Sequence, residues 1–275
     1  IYMFRSWNTI IIKNIATSAL LLLLLSSCNF FSNKSSSKTN TINYFSVIEA
    51  DTTVSLFASY LEPYCSINIS FEAPAKASSK TTKMAAELFI ISLVNEKYVQ
   101  DNSTIEDLVD NYVKSFILNY LKEGKIAIAN DEDEEELYWM NYEEKCNGKV
   151  LYNDNNILSY SVKTYSYSGG AHGVTSNNVA SMNLATNKIY TLKQLFGEDN
   201  NEKLKALIKE KLSQNNQLFT EDIEVIQNFY LSNKGVSFVY SPLDIAAYSN
   251  EEITLTLDWN EISHLLIINP FQEKE

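Results

Sequence analysis

The chain has 275 residues, 45% of them hydrophobic, and a net charge of −12. That length allows one domain of roughly 230 residues behind a short leader, or two small ones. The excess of 34 acidic over 22 basic residues argues against nucleic acid as a partner, because phosphate binding needs a basic patch, and favours a cationic partner through long-range attraction.

Arg5 and Lys13 precede Ile15–Leu25, a run of small and apolar residues interrupted only by Thr17 and Ser18, which closes on Leu25-Ser26-Ser27-Cys28. This is the pattern of a secretory signal over residues 1–27, too short for a comfortable membrane span. Cys28 directly after small residues resembles a bacterial lipobox. The resemblance implies cleavage before Cys28, lipidation of its sulfur and attachment to a membrane of the bacterial cell envelope, on a periplasmic or outer-membrane face. Two or more acyl chains would make that anchor stable. Residues 28–41, with the stretch FSNKSSSKTNT, have no apolar period and read as a flexible tether.

The globular part is expected to start near Ile42. Val54–Tyr60 and Ser66–Phe71 alternate apolar and polar residues as strands do. Met84–Val99 reads as a helix. Residues 103–123 form the clearest helix: Ser103 and Glu106 suit a capping box, and Ile105, Leu108, Val109, Tyr112, Val113, Phe116, Ile117, Tyr120 and Leu121 share one face. Gly124 is the expected stop. Asp131–Glu136 is an unbroken acidic run without the glycine or spacing of a calcium loop. It reads as a solvated connector between an N-terminal half, 42–130, and a C-terminal domain, 137–268.

Beyond it, Tyr138–Tyr142, Val150–Tyr152 and Ile157–Tyr167 are strand candidates, with a turn at Asn153–Asn156. Val179–Leu184 is another strand, turned by Thr186-Asn187. Thr191 and Gln194 cap a short helix closed by Gly197. Leu204, Leu207, Ile208 and Leu212 mark a second helix. Phe229–Leu231 and Val236–Tyr240 form a hairpin about Asn233-Lys234-Gly235. Ile253–Leu257 is a last strand and Trp259–Leu266 a short helix. Strands and helices do not alternate strictly, so the expected class is α+β, a mostly antiparallel sheet packed against helices in two similar-sized halves. Cys65 and Cys146 can pair, as cysteines of exported chains do, or remain two buried thiols.

The stretch YSYSGGAHGVTS, residues 165–176, holds three of the seven glycines and one of the two histidines. Gly169, Gly170 and Gly173 permit a sharp reversal after the strand ending at Tyr167. The spacing fits neither a dinucleotide nor a Walker loop. His172 as a general base would need a serine and an orienting acid, and as a zinc ligand two or three more ligands. The sequence supplies neither set, so no metal or other cofactor is expected. The remaining role is a histidine that supports the turn or touches a ligand.

The segment NILSYSVKTYSYSGGAHGVTSNNVASMNLATNKIYTLKQLF, followed by FYLSNKGVSFVYSPLDIAAYSNEEITLTLDWNEISHLL, resembles a bacterial domain of unknown function. It is found as the extracellular part of RsiV-type anti-sigma factors, which bind lysozyme, and as an accessory region of PdaC-type peptidoglycan deacetylases. The likeness runs over roughly residues 44 to 268, with Gly169–Gly173 its most specific piece. It implies a non-catalytic domain that binds a cationic, lysozyme-like protein or a cell-wall glycan. Tyr165, Tyr167, Gly169, Gly170, His172, Gly173, Ser176 and Asn177 are the candidate contacts. The alternative is a peptidoglycan-acting hydrolase with His172 as general base.

Overall fold

The computed structural model describes residues 13–14, 41–57, 63–74, 104–129, 137, 139–215, 217, 223–241 and 252–271. The signal segment apart from 13–14, Cys28, the tether up to residue 40, Ser103, the helix expected at 84–99 and the acidic run 131–136 lie outside them. Among the described residues no helix is long and apolar enough to cross a membrane.

The class is α+β and mostly antiparallel, as expected. The larger sheet places β1 (Phe45–Ser55), β2 (Tyr64–Pro74), β3 (Tyr142–Asp154), β4 (Ile157–Ser168), β5 (Val174–Asn183) and β6 (Lys188–Ile189) side by side in chain order. A two-residue pairing of Lys13–Asn14 on the outer edge of β1 makes seven strands. β2 and β3 run parallel, from Cys65 opposite Tyr142 to Phe71 opposite Gly148. A parallel pair needs a crossover connection, and helix α1 (Ile105–Ala129) lies within it. The segments on either side of the acidic run therefore share one sheet.

Period two divides every strand of this sheet between two faces. The inner face carries Ile48, Ile67, Ile69, Phe71, Leu158, Tyr160 and Val162, and α1 lays Ile105, Leu108, Val109 and Val113 on them. Each such buried aliphatic side chain contributes roughly 1.5–3 kcal/mol. Thr104 and Asp107 close the start of α1: the Asp107 N–H donates to Thr104 Oγ1 at 3.1 Å and the Thr104 N–H to Asp107 Oδ2 at 3.0 Å. The expected stop at Gly124 is corrected, because α1 continues to Ala129. Gly124 is buried, and a Cβ there would run into the Leu56 side chain. The glycine serves close packing, not termination.

β3 is one long strand where two fragments were expected, and Trp139 and Met140 form a 3-10 turn before it. At Leu151 the register with β4 shifts between Val150 and Tyr152. This bulge moves Tyr152 to the outer face. There it packs with Ile157 against a second core. That core is built by a smaller antiparallel sheet of β7 (Phe229–Leu231), β8 (Gly235–Tyr240) and β9 (Ile253–Asp258), ordered β9-β8-β7. Helices α2 (Leu192–Phe196), α3 (Asn201–Gln214) and α4 (Trp259–Ile262) complete it. The Thr191–Gln194 capping box and the Gly197 end of α2 are as read from the sequence. So is the buried face Leu204, Ile208 and Leu212 of α3.

Cys65 and Cys146 are free and buried. Cys65 stands opposite Tyr142 and Cys146 opposite Ile69 on the same parallel pair. That offset of four residues is about 13 Å along the strand. A disulfide needs Cα atoms within about 7 Å. Burial pushes both thiols up to about 12, with the Glu144 carboxylate adding to the shift. They are inert core thiols.

The second core is fastened to the outer face by polar side chains. Ser159 Oγ and Ser181 Oγ lie 2.6 Å apart, Ser159 donates to the Leu231 carbonyl at 2.6 Å, and the Leu231 N–H donates to Ser181 at 2.7 Å. Asn228 accepts from the Val179 N–H at 2.8 Å and donates to the Asn177 and Val239 carbonyls at 2.9 and 2.8 Å. Removing this amide leaves one N–H and two carbonyls without that partner. Asn228→Ala is therefore expected to cost about 2–4 kcal/mol in urea unfolding. A loss under about 0.5 kcal/mol would mean that water replaces the amide and that the seam is weaker than its geometry implies.

Candidate functional site

The glycine loop joins β4 to β5 at the end of the large sheet away from the second core. Tyr165 and Tyr167 point to the outer face as β4 ends, and each holds the loop. The Tyr167 hydroxyl donates to the Gly170 carbonyl at 2.9 Å. Tyr165 lies under Gly173, where an added Cβ would stand 2.5 Å from the ring. Gly169 and Gly170 take φ of +85° and +99°, the left-handed side that favours glycine. Gly169 also backs onto Trp139, whose carbonyl oxygen occupies the place a Cβ would need. The loop is thus pinned at three points.

Tyr165 belongs to a chain of contacts across the outer face. The Lys145 ammonium sits 5.4 Å from its ring centroid, a cation–π distance. Lys145 also pairs with Glu143 at 3.1 Å, and the Tyr64 hydroxyl donates to the other Glu143 oxygen at 2.9 Å. The Tyr64 hydroxyl first, then Lys145, holds the Glu143 carboxyl below its usual range. In contact with both Gly173 and Lys145, Tyr165 is occupied in holding the site together.

On the inner face, Glu144 lies opposite Ser166 on β4. Its carboxyl is buried and accepts from the Ser166 and Tyr112 hydroxyls, so it links α1 to the last turn-side residues of β4. Burial raises its pKa, and the two hydroxyl donors offset only part of that shift.

The structure thus brings Tyr165, Tyr167, Gly169, Gly170 and Gly173 together and leaves the His172 side chain exposed. Ser176 faces inward and shares a 2.7 Å hydrogen bond with Thr164. Asn177 lies farther along β5, where it accepts from Ser161 at 2.7 Å and donates to Glu252 at 3.0 Å, at the rim of the second core. His264 is exposed in the 3-10 turn Ser263–Leu265 after α4. Among the described residues no group of three His, Cys, Asp or Glu side chains is placed to hold a metal ion.

Sequence reasoning missed Trp139, 46% exposed beside the loop, and the Tyr64–Glu143–Lys145 chain. A signal existed. From Glu144 to Gly148 small or buried residues alternate with Lys145 and Asn147. The poor strand propensity of Glu, Lys, Asn and Gly hides it.

The profile of a family described as deacetylase PdaC matches residues 75–175, which takes in the whole glycine loop. A second, described as a protein of unknown function (DUF3298), matches residues 193–260 in the second core. Among solved structures, a DUF3298-family protein from Bacteroides fragilis superposes with a TM-score of 0.76 at 23% identity, covering 85% of this chain and 97% of that one. A DUF3298-family protein from Pseudomonas aeruginosa gives 0.57 at 12% identity, covering 83% and 97%. At these identities the likeness is one of fold. No curated protein matches the chain.

Two substitutions test the loop. Gly169→Ala is expected to destabilise the protein by more than about 2 kcal/mol, since backbone strain and a collision with backbone coincide. Gly170→Ala, with open space around it, should cost only about 1–2 kcal/mol. Equal costs in thermal unfolding would refute the clamp on Trp139. Glu144→Gln tests the buried carboxyl. A raised folded pKa means that the stabilising contribution is complete below the unfolded pKa and is lost as pH rises through the folded one. The glutamine variant should therefore melt above wild type at pH 7, with the gap closing toward pH 4. A variant that melts lower at pH 7 would show that the charged form is preferred.

Proposed function

We propose, from the premise that this chain is of the PdaC/DUF3298 type, that it is a non-catalytic binding domain of the bacterial cell envelope. On this reading lipid on Cys28 holds it to a membrane, and the glycine loop meets a lysozyme-like protein or a peptidoglycan strand. One observation carries the reading. The loop is pinned at three points by Tyr167, Tyr165 and Trp139, yet His172, Val174 and the Trp139 side chain stay exposed on it or beside it. Val174 is 61% exposed. A rigid, outward-facing group of an aromatic, an aliphatic and an imidazole suits contact with a partner, because little conformational entropy is lost when it docks. The acidic net charge supports attraction of a cationic partner.

The hydrolase reading draws less support. Acid–base catalysis works best where water is excluded and an orienting group fixes the imidazole. His172 lies open to solvent.

The test is calorimetric titration of the detergent-solubilised full chain with lysozyme and, separately, with soluble peptidoglycan fragments. One of them should bind. His172→Ala and Trp139→Ala should each weaken it about tenfold or more without moving the melting temperature. In cells, Cys28→Ala should release the chain from the membrane fraction. Binding of neither ligand would sink the loop's proposed role. Cell-wall cleavage that disappears in His172→Ala would establish the hydrolase in its place.

A further inference from the structure

The two ends of the large sheet carry different things. β2 and β3 run parallel, with Cys65 opposite Tyr142, so Tyr64, Tyr142 and the glycine loop share one end. Pro74, the turn between Asp154 and Ile157, and Phe45 at the start of β1 share the other. The chain enters the sheet at that second end, and it is clamped there. The Ile42 N–H donates to Asn153 Oδ1 at 3.1 Å, and Asn153 Nδ2 donates to the Ile42 carbonyl at 2.7 Å. One amide thus takes both backbone groups of a residue just ahead of β1, as a partner strand would. Ile42 also packs against the first core. Tyr44, two residues beyond it, is 66% exposed.

Asn153 stands opposite Leu158, and the glycine loop begins after Ser168 on the same strand. Strand rise puts the loop about 30 Å from the clamp. The segment from Cys28 to Ile42, whatever its path, spans at most about 50 Å. Charge divides at the same place. Four of the 22 basic residues and none of the 34 acidic ones precede Ile42, which leaves 18 against 34 and a net charge of −16 from there on. Residues 28–41 hold Lys34 and Lys38 and no acid.

We propose that the Asn153 end of the sheet faces the membrane and that the glycine loop is the tip farthest from it. This rests on the reading that lipid on Cys28 anchors the chain. A body held by one end near a surface it cannot enter keeps the most orientations when that end faces the surface. The clamp fixes which end that is, because it stops the chain from peeling away from β3 before it reaches β1. The acidic body is repelled by anionic headgroups, which opposes lying flat, whereas the segment that joins it to Cys28 is basic. Tyr44 at the entry suits the headgroup region, where an aromatic ring with a polar tip is favoured. The loop then takes a partner that arrives from beyond the bilayer surface: a soluble protein or an assembled wall strand, not a sugar carried on a lipid of the same membrane.

The test uses the full chain produced in bacterial cells, purified from membranes and reconstituted in vesicles of phosphatidylcholine with phosphatidylglycerol that carry an energy-transfer acceptor on their headgroups. Tyr44→Cys and His172→Cys each take one donor dye at an exposed position, since Cys65 and Cys146 are buried. Wild type, with Cys28 blocked by lipid, should take up no dye and should stay with the vesicles, while Cys28→Ala should not. Transfer from the Tyr44 position should be about twofold or more stronger than from the His172 position, given their separation of about 30 Å along the sheet. The Ile42 amide should exchange with solvent about tenfold more slowly in wild type than in Asn153→Ala. Equal transfer from the two positions, or stronger transfer from His172, in a chain held through Cys28 overturns this proposal alone. Equal Ile42 exchange in the two proteins overturns the clamp and the proposal with it. Dye uptake by wild type, or retention that does not depend on Cys28, overturns the anchor and this proposal together. If the transfer is as described while lysozyme and peptidoglycan do not bind, the loop reading fails and this orientation stands.

Discussion

β7 is a three-residue strand at the edge of the small sheet, and its central constraint is where its backbone groups go. A buried N–H or carbonyl without a partner costs about as much as a lost hydrogen bond, or more. The Leu231 N–H and carbonyl are met by Ser181 and Ser159, neighbours in register on β5 and β4. Asn228 does the same for Val179, Asn177 and Val239 with one amide. A fully satisfied buried network of this kind tolerates little displacement, because a small shift would strand several groups at once. The seam therefore fixes where the second core sits. It also fixes where that core ends, at the Asn177–Glu252 contact, and so how much of the outer face stays open.

The same seam explains why the loop is rigid. β4 serves both cores: Leu158, Tyr160 and Val162 face α1, while Ile157 faces the small sheet. The bulge at Leu151 lets its partner strand do likewise by sending Tyr152 outward. A strand held from both faces leaves little freedom at its end. The loop that follows is then fixed by its own tyrosines. This bears on how exposed aromatics are read. Tyr165 is only half-exposed, and its ring meets Gly173 and Lys145. The aromatic surface that can meet a partner is Trp139, which the loop leaves open.

Much of this was legible in the sequence, and the failures have physical causes. The C-terminal elements were read closely because local signals agree there: a capping box at Thr191 and Gln194, a three-four apolar face on α3, an Asn-Lys-Gly turn before β8. β3 was broken into pieces because its outward residues are lysine, glutamate and asparagine, which disfavour strands, and its inward ones include Gly148 and a charged Glu144. Only the neighbours β2 and β4 make a strand of it. Gly124 looks like a helix stop in the sequence because glycine usually is one. Its role in admitting Leu56 is a tertiary contact that no local pattern encodes. The open cysteine pairing was settled by register, which sequence spacing does not carry. The glycine loop makes the sharp reversal between strands that its glycines suggest. Its tyrosines, candidate contacts for a ligand, also pin the loop.

On the open part of the outer face charges alternate in sign: Lys145, Lys149 and Lys163 stand beside Glu143, Glu72 and Glu252. At physiological salt, charges more than about 8 Å apart in solvent are largely screened. Net charge then governs what approaches the molecule, and the local pattern governs what stays. Glu143 pairs with Lys145 at 3.1 Å, Glu72 accepts from the Val150 N–H next to Lys149, and Glu252 accepts from Asn177, which stands opposite Lys163. A ligand lying along β3 and β4 meets carboxylates as often as lysines. A partner approaching the loop meets Trp139, Val174 and His172, with no lysine among them. The polar seam keeps the loop end of the sheet clear by confining the second core to the opposite end.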